Sequence, residues 1–332
     1  KDYAFSYCFN LSIIKFPIDS KLEIIGKNSF SESLIENILI PSNVSLIDEC
    51  SFSQCKKLKK FEVETNSKLK EIGRYAFFQS SVESIIIPSN DVELKDGWCN
   101  GTAELNEVKL NNERYSSYEK DFILYKSNPE CDSFDVLIFA RRNIEIASIP
   151  SFVKRIDPFS FDQCDKLKEI KFPIDSKLEI IESNAFSNSS INSISIPSSV
   201  KELKEGWCIN TMNLTSFSIM PNNKYFISYE NKFIFGKSDP ENVNFDVLIF
   251  ARRDITEAII PSNIKEIGAY AFHCCESLQK IEFQQNSELK IIGKYAFVNS
   301  SLSSISFPHH LIQISECCFS DCHNLRHIDI PK

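Results

Sequence analysis

The feature that most constrains this chain is a short apolar pattern that returns every 23 or 24 residues. It reads apolar, two residues, apolar, one residue, apolar, as in Ile35-Ile38-Ile40, Leu58-Phe61-Val63, Ile191-Ile194-Ile196 and Leu278-Ile281-Phe283. Thirteen such runs occur between Leu11-Ile14-Phe16 and Leu325-Ile328-Ile330, with two longer gaps. Each run reads as a short strand. A fixed period of this length predicts a stacked array, because one unit of about 23 residues cannot bury its apolar face alone. Pro17, Pro41, Pro88, Pro150, Pro173, Pro197, Pro261, Pro308 and Pro331 each follow a run directly. Proline has no N–H, so it ends ladder pairing at one place in every coil.

A second periodic signal lies between the strands. It reads Ile-Gly/Glu-x-x-Ala/Ser-Phe, as at Ile72 to Phe77 and Ile292 to Phe297. Phe5, Phe30, Phe52, Phe77, Phe161, Phe186, Phe272, Phe297 and Phe319 fall one per coil, which predicts a continuous spine of stacked rings. Four of the eight glycines, Gly26, Gly73, Gly268 and Gly293, stand four residues before a spine Phe and predict one recurrent turn. In alternate coils a cysteine follows the ring, at Cys8, Cys55, Cys164, Cys275 and Cys322; Ser189, Thr102 and Thr211 take that place elsewhere. A thiol or hydroxyl here can bond the backbone of the turn. Cysteines two coils apart lie about 10 Å from each other, beyond disulfide reach, so they read as free buried thiols.

Two segments, about 111–143 and 220–254, interrupt the period in parallel. Asp135-Val-Leu-Ile-Phe-Ala-Arg141-Arg142 recurs 111 residues later as Asp246-Val-Leu-Ile-Phe-Ala-Arg252-Arg253. Each run is preceded by an apolar strand (from Phe122, from Phe233) and a polar loop containing Pro129 or Pro240, which predicts an inserted β-hairpin. Tyr115, Tyr118, Tyr125, Tyr225 and Tyr229 cluster in the insertions, with the arginine pairs at their exits. Tyr and Arg are enriched at interface hot spots, so Tyr115, Tyr118, Tyr125, Arg141, Tyr225, Tyr229 and Arg252 are candidate protein-binding residues.

The full coil, Ile-Gly-x-x-Ala-Phe-x-x-Cys-x-x-Leu-x-x-Ile-x-Phe from Ile267 to Phe283, with Ile-Pro-Ser-Ser-Val at Ile196 to Val200, resembles the BspA-like leucine-rich repeat family, also called the Treponema pallidum type. The likeness covers nearly the whole chain. Trp98-Cys99 and Trp207-Cys208 depart from it, standing where Ala-Phe is usual. The resemblance implies an α/β-type or mainly β, right-handed solenoid with about thirteen parallel strands on a concave face, a single domain over 1–332. It also implies cell-surface proteins of bacteria and of parasitic protists such as trichomonads and Entamoeba, with adhesion to host matrix proteins. The Asn-, Ser-, Lys-, Ile- and Phe-heavy composition adds the expectation of an AT-rich protist genome.

The strands themselves define the other candidate surface. Period-2 alternation turns pairs such as Lys60/Glu62, Glu169/Lys171, Ser193/Ser195, Lys280/Glu282, Ser304/Ser306 and His327/Asp329 away from the core. Hydroxyl rows alternate with Lys–Glu rows, which predicts a wettable face with cross-strand ion pairs. Solenoids bind partners on such faces, so Glu169, Lys171, Lys280 and Glu282 are candidates too.

Composition excludes other classes. The net charge of −8 leaves no basic excess to neutralise phosphates. No apolar run approaches the ~20 residues that span a bilayer. Five histidines and eight glycines leave little catalytic or phosphate-binding material, and no dinucleotide, P-loop, zinc-protease or hydrolase motif is present. Carboxylates recur by repeat position, which is the mark of structure. Cys317 to His327 has near finger-like spacing, but its side chains fall on different faces of the coil. No enzyme, cofactor or metal is expected. The leading expectation is an adhesin-like surface module; an intracellular interaction scaffold is the alternative. The absence of a polar capping repeat predicts a longer array or a homodimer through the ends or edges.

Overall fold

The computed structural model describes residues 1–17, 19–87, 92–110, 113–128, 130, 132–241 and 243–330. Pro88, Pro129, Cys131 and Pro331 lie outside the described residues. The fold is a β-solenoid of about thirteen turns built mostly of parallel strands, with no helix among the described residues. It comprises two compact units, one of Lys1–Glu145 with Phe152–Lys166, the other of Ile146–Ser151 with Leu167–Lys332.

In the first unit each coil gives one long and one short strand. The long strands Asn37–Ile40, Lys60–Val63, Ser84–Ile87 and Glu107–Leu110 form a parallel sheet in that order. The short ones, Ile24–Ile25, Leu46–Ile47, Glu71–Ile72 and Glu93–Leu94, form another. In the second unit the long strands are Ile146–Ser148, Glu169–Lys171, Ser193–Ile196 and Ser216–Ile219, then Glu257–Ile260 with Lys280–Phe283, then Ser304–Ser306 with His327–Asp329. Every run read from the sequence is thus a strand except Leu11-Ile14-Phe16. That run accepts one bond, from Leu34 N–H to the Leu11 carbonyl at 2.9 Å, and makes no ladder.

The turns explain the sequence pattern. Each holds two left-handed residues four apart, such as Asn28 and Glu32, Cys50 and Gln54, or Tyr295 and Asn299. The left-handed conformation costs roughly 1–2 kcal/mol for a residue with a Cβ. It is offset because it splits the turn's N–H groups between two acceptors. Asn28, Phe30 and Glu32 donate to Glu49, Ser51 and Ser53 of the next coil, while Ser29, Ser31 and Ser33 donate three residues back. The glycines before the ring serve close packing. A Cβ on Gly293 would lie 2.4 Å from the Ala269 nitrogen, and Gly293 has no positive φ.

The spine is segmented where the sequence predicts continuity. Phe5, Phe30, Phe52 and Phe77 stack at 5.3, 5.4 and 5.8 Å, and Phe272, Phe297 and Phe319 at 4.9 and 5.1 Å. At Trp98 and Trp207 the geometry turns edge-on, 84° to Phe77 and 89° to Phe186. The indoles then lead to Phe139 and Phe250 of the insertions. The larger ring turns the row edge-on ahead of each inserted segment.

Each insertion holds the expected hairpin, Phe122–Tyr125 with Val136–Ala140 and Phe233–Gly236 with Val247–Ala251, plus a third strand that the sequence reading missed. Tyr115–Tyr118 and Ile227–Tyr229 add antiparallel to the first strand of each hairpin. The last strand of each then joins the short-strand row in parallel, with Arg155–Ile156 and Glu266–Ile267 respectively.

Candidate protein-binding surfaces

The long strands alternate as their period requires. Ile38, Phe61, Ile85, Ile194 and Ile281 are buried, while Lys60, Glu107, Lys171, Lys280 and Glu282 are exposed and Glu169 is half-buried. The ion pairs run along single strands rather than across them: Lys60–Glu62 at 2.9 Å, Glu107–Lys109 at 2.6 Å, Glu169–Lys171 at 3.6 Å and Lys280–Glu282 at 2.6 Å. The register gives the reason. Lys60 sits opposite Ser84, Lys109 opposite Ile86 and Glu169 between Ile146 and Ser193. For these three the opposite charge lies two residues along the same strand; Lys280 has Glu257 directly across the ladder and still pairs with Glu282. Such exposed pairs contribute ~0.2–1 kcal/mol each. Serines meet across strands instead, with Ser218 Oγ 2.8 Å from Ser195 Oγ.

In the insertions the candidate side chains other than Tyr225 make contacts within the protein. Tyr115 is buried against Tyr125, its hydroxyl accepts the Leu94 N–H at 3.2 Å, and burial pushes its pKa up to about 12. Tyr125 accepts from Arg114, which also lies over its ring. Tyr118 packs edge-on against Phe152. Tyr229 stacks 4.9 Å from Phe235. Half-buried Tyr225 is held through its N–H, which donates to Asn223 Oδ1. Arg141 pairs with Asp121 at 2.9 Å, and Arg252 with Asp254 through two bonds.

The second arginine of each exit pair points inward, a placement the sequence reading did not distinguish. Arg142 and Arg253 are 2% and 4% exposed. An ordinary coil spends residues 268–279 between its short and long strands; the second inserted coil spends only 252–256. The guanidinium occupies the space of the missing turn. Arg253 donates to the Ala271 carbonyl at 3.2 Å, contacts Cys275 Sγ at 3.8 Å and Cys208 Sγ at 3.6 Å, and lies over Phe250. Arg142 does the same with Ser160, Cys99 and Phe139. The usable signal was period 2: after buried Ala140 and Ala251, the outward Arg141 and Arg252 leave the next residue facing in.

Asp135 and Asp246 close the base of each insertion. Asp246 accepts both the N–H and the hydroxyl of Ser238 at 2.9 Å and pairs with Lys265 at 3.3 Å. Burial pushes its pKa up, but the Ser238 bonds and Lys265 outweigh it and leave the net shift downward. A carboxyl lowered in the folded state stabilises above its unfolded pKa, about 3.9, and that stability is lost as pH falls through the folded value. Melting temperature is therefore expected to drop below about pH 4, and Asp246→Asn should flatten that dependence in melts between pH 3 and 6.

Every described cysteine is a free thiol. The ladder cysteines donate to the previous coil, Cys55 to Phe30 and Cys322 to Phe297 at 3.2 and 3.0 Å. Thr102, Ser189 and Thr211 bond the carbonyl three residues back in their own coil. Burial pushes Cys99, Cys164 and Cys275 up to about 11, the opposite of an activated nucleophile. In the Cys317–His327 stretch, Cys318 donates to Gly293 and Cys322 to Phe297, and His327 is exposed on its strand. Among the described residues, no three His, Cys, Asp or Glu side chains are placed to hold a metal, and no helix is long and apolar enough to cross a membrane.

A family model, the BspA type leucine rich repeat region, matches residues 1–123, 133–249 and 243–332 in six copies. No curated protein matches the chain. A leucine-rich repeat protein of Eubacterium ventriosum has a similar structure, with 20% identity over 93% of this chain and 81% of that one and a TM-score of 0.55. One from Bacteroides ovatus is similar at 23% identity over 100% and 76%, with a TM-score of 0.50. A leucine rich cell surface protein of Faecalibacterium prausnitzii matches at 20% identity over 94% and 83%, with a TM-score of 0.48.

Proposed function

We propose, from the premise that this chain belongs to the BspA-type leucine-rich repeat family, that it is a non-enzymatic module binding another protein through its long-strand face. The observation that carries this reading is the contrast between the two candidate surfaces. Lys171, Lys280 and Glu282 display side chains outward from regular strands. Tyr115, Tyr118, Tyr125 and Tyr229 spend their rings on packing. A rigid ladder also holds the outward groups in place before a partner arrives, which lowers the ordering cost of binding. The finer reading is an adhesin at the cell surface with a host matrix protein as partner, and it rests on the family. The free state of every described cysteine favours a second reading, an intracellular scaffold, because reducing compartments keep thiols free.

Binding of immobilised host matrix proteins tests this. Lys171→Glu with Lys280→Glu should abolish binding and change stability by no more than ~2 kcal/mol, since each of the two exposed pairs it breaks is worth up to ~1 kcal/mol. Replacing residues 128–133 by a short glycine linker should leave binding and folding intact. Ser127 must be spared, because its N–H and hydroxyl hold Asp135 at 3.0 and 2.9 Å. Loss with the linker alone would assign the insertions instead. No binding by the intact chain would remove the adhesin reading.

A further inference from the structure

Within the second unit the long-strand face carries an open groove of about 690 Å3. Its floor is formed by Lys280–Phe283 and Ser304–Ser306, and its walls by segments 284–287 and 308–310. The walls are fixed. Gln284 N–H and Glu288 N–H donate to the previous coil at Ile260 and Ser262, Asn286 is left-handed, and Leu311 N–H closes the Pro308 turn at 3.2 Å.

We propose that this groove binds a neutral oligosaccharide. Its volume falls within the ~300–1,000 Å3 of small-ligand sites. Its two charged side chains, Lys280 and Glu282, neutralise each other at 2.6 Å, which leaves no fixed charge to select an ion. Gln285, Ser304, Ser306, His309 and His310 are exposed and make no side-chain hydrogen bond among the described residues. Together they offer hydroxyl, amide and imidazole donors and acceptors, the complement of a sugar's ring of hydroxyls. Phe283 is half-buried in the floor and supplies apolar surface for the C–H side of a pyranose. Of the side chains that centre a protein interface, Tyr, Trp, Met and Arg do not line the groove, and of its two phenylalanines Phe307 is buried, which leaves half-buried Phe283. A peptide anchor is thus the poorer fit. The groove shares Lys280 and Glu282 with the proposed protein-binding face, whereas Lys171 lies outside its lining.

Titration of the full chain with maltotetraose, cellotetraose and chitotetraose, followed by calorimetry and amide chemical shifts, tests the assignment. The expected result is saturable binding of at least one of them, with shifts confined to residues 280–287 and 304–310. Ser306→Ala with His309→Ala should weaken it tenfold or more, with melting temperature unchanged. Lys171→Glu should leave it unaffected, so failure here is separable from failure of the matrix-binding reading. No saturable binding by any of the three overturns the proposal. So does binding confined to a heparin tetrasaccharide or to an uncharged Gly-Ser-Asn peptide, or an equal affinity in the double variant.

Discussion

Replacing Arg142 by methionine is expected to cost about 3–5 kcal/mol, while the same change at Arg253 is expected to be neutral or stabilising by up to about 4 kcal/mol. The two arginines occupy equivalent places but face different charges. Asp162, fully buried and bonded by the Gly101 N–H at 2.6 Å, acts on Arg142. Removing the guanidinium withdraws a positive charge that acts on that buried carboxylate. At the equivalent place the second unit has His273, pushed down to about 4 by burial and by Arg253 and therefore neutral. Among the described residues, the partners of Arg253 are a carbonyl and thiols, with no carboxylate. A methionine of similar volume there fills the space and removes the cost of burying a lone cation. Urea melts of both variants decide the matter. Equal losses at the two sites would show that the guanidinium acts by filling space and bonding alone. Arg142→Met with Asp162→Asn should recover part of the loss, because the buried negative charge is removed together with the positive one.

Phe297→Ala should cost about 3–5 kcal/mol, the usual range for a buried ring. Phe297 is fully buried and lies between Phe272 and Phe319, so the substitution opens a cavity and forfeits two stacked pairs at once. Cys55→Ser is the control. Cys55 bonds Ser33 and the Phe30 carbonyl, a serine hydroxyl can make the same bonds, and alternate coils already carry a hydroxyl at that site. Its cost should stay near 1 kcal/mol or below in thermal melts. An unchanged melting curve for Phe297→Ala would mean that the stack does not hold the coils together.

The coil register was legible because every coil repeats the same demands. Each needs an inward residue at fixed places, a ring for the spine and a small residue where the backbones approach, and Gly293 shows how little room that last place leaves. The third strand of each insertion was not legible. Tyr115–Tyr118 has only two serines between its tyrosines and no apolar alternation, and it is a strand because Phe122–Tyr125 gives it a ladder. The direction of the ion pairs was hidden for a related reason. Charge sign is a property of residues, but which neighbour lies opposite is set by register. The inward arginines were masked by chemistry, since a guanidinium is rarely buried and only its position in the alternation marks it. The groove could not be read because its walls belong to two different coils.

The guanidinium that seals each shortened coil also separates what lies outside the stack from the pitch inside it. Segments 111–143 and 220–254 differ in length, yet after each Arg-Arg the next long strand pairs in register with its neighbour. Such a joint behaves as a cassette boundary. Foreign sequence can be exchanged between its fixed points without resetting the repeats on either side. The architecture is thereby free to vary its ornaments while its backbone geometry is inherited unchanged.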